Sequence, residues 1–169
     1  VIKFLFNELL EEEKNEQNFI FDTLVPFPFF LSQPLSTTVA QDLFKVQVFE
    51  EWVAEWKWDG ARCQLIAKRS EKKNIINIEL WTRGEEFVSE KFPEIINASK
   101  HAVTLDIILD GELLIWDSIK NMPEKFQILQ KRLGKKRVSL KEKRSSKPVL
   151  MIYDVLFLEG KDLRFFQFQ

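Results

Sequence analysis

The stretch "EWKWDGARC", residues 55 to 63, sets Lys57 between two tryptophans and follows it with an Asp-Gly pair. If residues 52 to 58 form a strand, alternation puts Trp52, Ala54, Trp56 and Trp58 on one face and Glu55, Lys57 and Asp59 on the other. One amine then stands between two carboxylates. An amine is a nucleophile only when deprotonated, and burial or nearby cations lower its pKa. Flanking carboxylates raise it instead, so nucleophilic chemistry at Lys57 requires something more, such as a divalent metal that occupies a carboxylate and neutralises phosphate charge. The plainer reading is a hairpin with a solvated charged face. Asp59-Gly60 is a strong tight-turn signal, and "ARCQLIAKR" returns as a strand behind it.

Two stretches downstream offer partners. In "LDIILDGELLIWD", Asp110-Gly111-Glu112 interrupts a run of Ile, Leu and Trp; alone it reads as another turn, but carboxylates among such neighbours are expensive unless paired, hydrogen-bonded or holding a cation. In "PVLMIYDVLFLEGKDLR", Tyr153 and Asp154 lie inside a nearly continuous apolar strand. Tyr153 is either core or a flat face for stacking, and an unpaired, buried Asp154 would be costly.

The elements that must position these groups are legible in outline. Ile2, Leu5, Phe6, Leu9 and Leu10 follow helical spacing, with "EEEKNE" as the solvated end of that helix. "TLVPFPFFLSQPL" carries Pro26, Pro28 and Pro34, which disfavour helix and ladder alike and predict an extended connector, rich enough in phenylalanine to lie against a folded surface. Strands are expected at 52 to 58, 61 to 68, 75 to 82, 105 to 116 and 148 to 158, where all five tryptophans fall. Two short helices are expected between them. "PEIINASK" opens with Pro93; "PEKFQILQKRLG" has Pro123 in its first turn, Gly134 at its exit and Phe126, Leu129 and Leu133 as its buried stripe. The fold class is α+β, with largely antiparallel sheets and short flanking helices.

Composition limits the function classes. At 169 residues and 45% hydrophobic the chain can hold one ordinary core, and 25 basic against 26 acidic residues leave a net charge of -1. Any nucleic-acid affinity must therefore come from a local patch. One candidate is Lys131 to Lys147, with nine basic residues against the single acidic Glu142; it is a solvated loop or a surface for a DNA backbone. Cys63 is the only cysteine, which excludes an internal disulfide and a multi-cysteine zinc site, and it reads as a small core residue. His101 has no second ligand in view. The apolar runs are of strand length, so a soluble, cytoplasmic protein with no membrane partner is expected.

Taken together, four stretches resemble one family. "KWDGAR" matches the K-x-D-G-x-R signature of the ATP-dependent DNA ligases; "LWTRGEEFVSEKFPEI", "ILDGELLIWD" and "YDVLFLEGKDLR" are similar, in the same order, to that family's arginine-bearing, acidic and aromatic-bearing segments. "PFPFFLSQPL" and "FQILQKRLGKKR" are similar to bacterial and archaeal members, so the resemblance spans roughly residues 25 to 165. It implies a nucleotidyltransferase (ATP-grasp-like) adenylation core. Lys57 would be the catalytic nucleophile that takes AMP from ATP. Glu55 would sit by the adenine, Arg62 at the sugar and phosphate, Arg83 near the ribose and nick phosphate, Glu112 at the ribose or a magnesium ion (Mg2+), and Tyr153 on the adenine ring. Asp59 would orient. The implied partner is nicked duplex DNA, met by a monomer, with Lys131, Arg132, Lys135, Lys136 and Arg137 as possible contacts.

The same resemblance divides the chain into a helix at 1–24 that would end a helical DNA-binding domain, a connector with a short helix at 25–50, and a partial adenylation domain at 51–169. Two further family segments, an E-G-x-x-x-K element and a lysine-rich strand, do not occur before Gln169, so weak or no ligase activity is expected of the chain as it stands. An RNA ligase or RNA-capping nucleotidyltransferase shares the lysine signature. A non-catalytic module that binds nucleotide or DNA ends is the alternative from another class.

Overall fold

The structure, a computed structural model, describes residues 24–32, 34, 36, 55–70, 75–136 and 147–166. The expected amino-terminal helix, the short helix before residue 50 and Trp52 lie outside them. Among the described residues six strands form a single sheet: β1 (Ala61–Arg69), β2 (Ile76–Thr82), β3 (Ile107–Asp117), β4 (Met122–Pro123), β5 (Lys147–Leu158) and β6 (Lys161–Asp162). Their order is β2-β1-β3-β5-β6, with β4 paired to β3, and every pairing is antiparallel. Among the described residues two α-helices, α1 (Pro93–Ala102) and α2 (Phe126–Leu133), interrupt the strands. The expected α+β class with a largely antiparallel sheet is what forms.

Helix α1 begins at Pro93, where a missing N–H has no intrahelical partner to lose, and Lys100 and His101 sit in its last turn, where the helix dipole favours positive charge. Helix α2 starts three residues later than the proline signal suggested. Pro123 belongs instead to β4, opposite Trp116, and Gly134 caps the helix as expected. No helix among the described residues is long and apolar enough to cross a membrane.

Register assigns the two faces. Ala61 pairs with Leu113, Cys63 with Gly111 and Leu65 with Leu109, so odd-numbered residues of β1 and β3 share one face. On it Cys63, Leu65, Ala67, Ile107, Leu109, Leu113 and Ile115 pack with Phe92, Ile95 and Ile96 around α1 and with Leu129 of α2. Burying each such large side chain contributes about 1.5–3 kcal/mol. The even residues face the other way. Ile66, Ile108, Leu156 and Phe157 pack there with Phe27 of the Pro/Phe-rich segment, which lies across the sheet without regular structure.

Two predictions about glycine are corrected. Residues 55–58 form no strand and Asp59-Gly60 is only a bend, so the expected hairpin and its two-faced alternation around Lys57 are absent; β1 pairs with β2 and β3 instead. Gly60 is needed because a Cβ there would lie 2.4 Å from the Leu113 carbonyl oxygen and 2.8 Å from Cγ of Glu112. Likewise Asp110-Gly111-Glu112 is no turn but the middle of β3. A Cβ on Gly111 would stand 2.5 Å from the Met151 carbonyl oxygen, so glycine here lets β5 approach.

Strand β5 carries two irregularities with consequences for the site. Asp154 pairs with Asp110 but Ile152 with Gly111, leaving Tyr153 extra; Val155 pairs with Leu109 but Phe157 with Ile108, leaving Leu156 extra. Each is a bulge that turns two consecutive side chains toward one face. Leu156 and Phe157 both reach the Phe27 cluster, and Tyr153 and Asp154 both lean toward Arg62 and Asp110.

Candidate functional site

The even face grades from apolar to charged along the strands. Ile66 stands opposite Ile108, Gln64 opposite Asp110, and Arg62 opposite Glu112. At the charged end the Arg62 guanidinium grips Asp110 with two bonds, Nε to Oδ1 at 3.2 Å and Nη2 to Oδ2 at 2.8 Å. Asp110 is 1% exposed, so this pairing removes most of the penalty of its burial. Nη1 of Arg62 donates to the Phe30 carbonyl, and the guanidinium lies 5.6 Å from the Phe29 ring and 6.0 Å from the Tyr153 ring. The Tyr153 hydroxyl donates to Asp110 Oδ1 at 3.4 Å. Arg62, Asp110 and Tyr153 are thus one network.

Glu112 is half-buried beside it and accepts a hydrogen bond from the Gly60 N–H at 3.2 Å. Burial lifts its carboxyl above the usual carboxylate range; the Gly60 N–H and the charges of Lys57 and Arg62 oppose that shift, and Asp110 reinforces it. Lys57 therefore lies within electrostatic reach of Glu112. The hydrogen bond to Asp110 raises the Arg62 pKa further, so that cation is permanent. Burial first, then Asp110, pushes the Tyr153 phenol up, which keeps it a neutral donor. Asp154 is raised chiefly by burial and accepts from the Val155 N–H at 2.8 Å.

The chain just before β1 delivers Lys57 on an exposed, irregular stretch. It is flanked by a run of aromatic rings, Trp56 to Trp58 and Trp58 to Trp116, each at 6.5 Å between centroids. Trp56 is 85% exposed and lies on no strand, against the strand expected at 52 to 58. Arg83 also reaches this end of the sheet, because its N–H donates to the Arg62 carbonyl at 3.0 Å and continues the β1–β2 ladder into the turn.

Of the residues singled out in sequence, Arg62, Glu112 and Tyr153 converge at one end of one face, and Lys57, on the exposed stretch before β1, lies within electrostatic reach of Glu112. Glu55, Asp59 and Arg83 are exposed and stand outside the hydrogen-bonded cluster of described residues. The basic stretch divides. Lys131, Lys135 and Lys136 are exposed, whereas Arg132 is 4% exposed and turned inward, donating to the Lys91 carbonyl and to Glu94 and lying 4.8 Å from the Phe92 ring. Arg132 acts as a brace between α2 and α1 and is not part of an exposed basic surface; Arg137 lies outside the described residues. Residue types alone did not bring out Asp110, Gln64 and the connector as parts of the site. The signal for Asp110 was present as a carboxylate in an apolar strand, but its partner was not.

No group of three His, Cys, Asp or Glu side chains that could hold a metal occurs among the described residues. A site with one carboxylate, such as Glu112, suits a magnesium ion that takes its other ligands from phosphate and water, not a protein cage.

The model of the family described as "ATP dependent DNA ligase domain" matches residues 30–168. A "Probable DNA ligase" of Koribacter versatilis is 32% identical over 136 residues, covering 80% of this chain and 21% of the relative. Another of Opitutus terrae is 35% identical over 133 residues, covering 78% of this chain and 12% of the relative. This chain thus spans about a fifth of the first of these relatives and less of the second. The solved structure "mycobacterial DNA ligase D complexed with ATP and MES" aligns at a TM-score of 0.47 and 24% identity, over 64% of this chain and 30% of that one.

Proposed function

We propose, given that this chain belongs to the ATP-dependent DNA ligase domain family, that it binds ATP at the charged end of the even face and carries AMP on Lys57. The neutral ε-amine would attack the α-phosphorus, forming an N–P bond as the bond to the bridging oxygen breaks and pyrophosphate leaves; the amine loses its proton to solvent or to the leaving group. The resulting phosphoramidate would pass AMP to the 5′-phosphate at a nick in duplex DNA, and the 3′-hydroxyl would then displace AMP and close the strand.

Each part of the site suits a step. Nucleotidyl transfer depends on alignment and charge neutralisation more than on acid-base work. Arg62 offers a rigid, permanently charged guanidinium for phosphate or sugar, and Tyr153 a neutral ring for the base. Glu112 would hold the ribose or, with phosphate oxygens, magnesium; the ion, when bound, would supply positive charge against the developing charge on phosphate. Arg83 and Glu55 would line the mouth of the site, and Asp59 would orient the loop. Lys131, Lys135 and Lys136 are exposed cations suited to a duplex backbone, a contact that would make binding fall steeply with salt.

The observation that carries this reading is the convergence of Arg62, Glu112 and Tyr153 at one end of one sheet face, with Lys57 within electrostatic reach of Glu112, the four coming from three separate stretches of the chain. The test is incubation of the full-length protein with ATP labelled at the α-phosphate, followed by denaturing electrophoresis. Label is expected on the wild type, none on Lys57→Ala, and the two should melt together, since replacing an exposed side chain shifts stability by less than about 0.5 kcal/mol. Acid-stable label, or label that persists in the variant, would count against a lysyl phosphoramidate.

A further inference from the structure

Gln64 is 0% exposed, yet its side chain is polar at both ends and both ends are committed to one residue of the connector. Its Oε1 accepts from the Phe27 N–H at 2.8 Å and its Nε2 donates to the Phe27 carbonyl at 3.0 Å. A leucine would fill similar space without the desolvation penalty of an amide, so adhesion alone does not call for glutamine here. What the amide adds is register. Phe27 sits between Pro26 and Pro28, neither of which has an N–H to give. A slip of one residue in either direction would leave Oε1 of Gln64 buried without a donor. Pro-Phe-Pro and Gln64 therefore form a key that fits in one position.

That position bears on Arg62. Gln64 and Arg62 are two apart on β1 and project to the same face, and the connector runs from Phe27 past Phe29 and Phe30 toward the charged end. With Phe27 fixed, the Phe30 carbonyl accepts from Arg62 Nη1 and the Phe29 ring lies 5.6 Å from the guanidinium, while Asp110 holds the opposite edge. A second clamp acts on the far side. Arg164, itself forked onto Asp162 by Nε at 2.9 Å and Nη2 at 2.5 Å, places its guanidinium 3.8 Å from the Phe27 ring. A guanidinium binds phosphate in a directional way, so a connector displaced by one residue would turn its donors away from the ligand.

We propose that Gln64 is a positioning residue for nucleotide binding: by fixing the register of the Pro-Phe-Pro connector it aims the Arg62 guanidinium at the ligand. The inference rests on the reading above, in which Arg62 meets the nucleotide. Its test is a double-mutant cycle in the full-length protein, with ATP affinity read by equilibrium binding and AMP transfer by initial rates. Gln64→Leu is expected to weaken ATP binding roughly tenfold, the scale at which a modest misplacement of a binding group shows. It should raise KM more than it lowers kcat. Phe29→Ala, which removes a half-buried ring outside the core, should fold normally and weaken binding in the same direction by less. In an Arg62→Leu background neither change should weaken binding further, because both act through that side chain. Should the losses from Gln64→Leu and Arg62→Leu simply add, Gln64 is an ordinary core residue and the inference is wrong. If wild type binds ATP and both Gln64→Leu and Phe29→Ala bind it equally well, the inference fails while the proposed function stands; if wild type binds no ATP, both fall.

Discussion

The two faces of the sheet are built from the same strands and differ in how they are closed. The odd face is sealed by α1 and α2 over Leu, Ile and Phe side chains that are nearly all fully buried. The even face is apolar only beneath the connector, then passes through Gln64 and Asp110 to the half-buried charges of Arg62 and Glu112. The first face is held by area and needs only matching shape. The second is held by directed bonds, in which each group depends on a named partner. Apolar burial is concentrated on one side and the proposed site on the other.

The largest break in that comparison should come from the sealed face. Phe92→Ala removes a fully buried ring packed against α1 and beneath Arg132, and is expected to cost about 3–5 kcal/mol in urea unfolding. Nucleotide affinity of the folded fraction should be unchanged. Gly111→Ala tests the seam between the faces: a methyl 2.5 Å from the Met151 carbonyl oxygen has to push β5 away, at an expected cost of about 1–3 kcal/mol. Unlike Phe92→Ala, it should also weaken ATP binding, since the displaced strand carries Tyr153.

These two sites also mark how far sequence reaches. The strands expected at 61 to 68, 75 to 82, 105 to 116 and 148 to 158 formed within two residues of those bounds, the one expected at 52 to 58 did not form over 55–58, and Lys57, Arg62, Glu112 and Tyr153 were identified from their wording in the chain. The glycines were misread because Asp-Gly signals a turn only when the following strand folds back on the preceding one. At Gly60 and Gly111 the neighbour that matters is far away in sequence, Leu113 of β3 for the first and Met151 of β5 for the second. Arg132 was misread for a related reason: basic runs are solvated by default, and only helix packing reveals that one member points inward toward Glu94. The partners of Asp110 and Gln64 are long-range as well, and no local pattern encodes them.

On the bonded face smaller effects with definite signs are expected. The folded pKa of Glu112 is raised chiefly by burial, so its ionisation destabilises the fold as pH rises through that value, and the penalty is absent in acid where the group is protonated. Glu112→Gln keeps an acceptor for the Gly60 N–H without the charge. Its melting temperature should exceed that of wild type at pH 8 and match it near pH 4, while AMP transfer falls; thermal melts at the two pH values check the first part. Asp162 has the opposite sign. The Arg164 fork lowers its pKa, so its stabilisation is present above its ordinary value of 3.8 and is lost as pH falls through the lower folded one. Asp162→Asn should lose slightly in stability at neutral pH and converge with wild type in strong acid. It is the smallest of the four effects, because the pair is partly solvated.

The double bulge of β5 makes strand length itself a carrier of information. Twelve residues of β5 run beside a β3 that offers fewer partners, and the two surplus residues decide which side chains look to which side. Excising Tyr153 would let the ladder run straight from Ile152 to Asp154, and the ring would vanish from beside Arg62 and Asp110 with every odd-face packing residue still in place. An insertion or deletion of one amino acid at this spot thus acts on the proposed site and spares the scaffold.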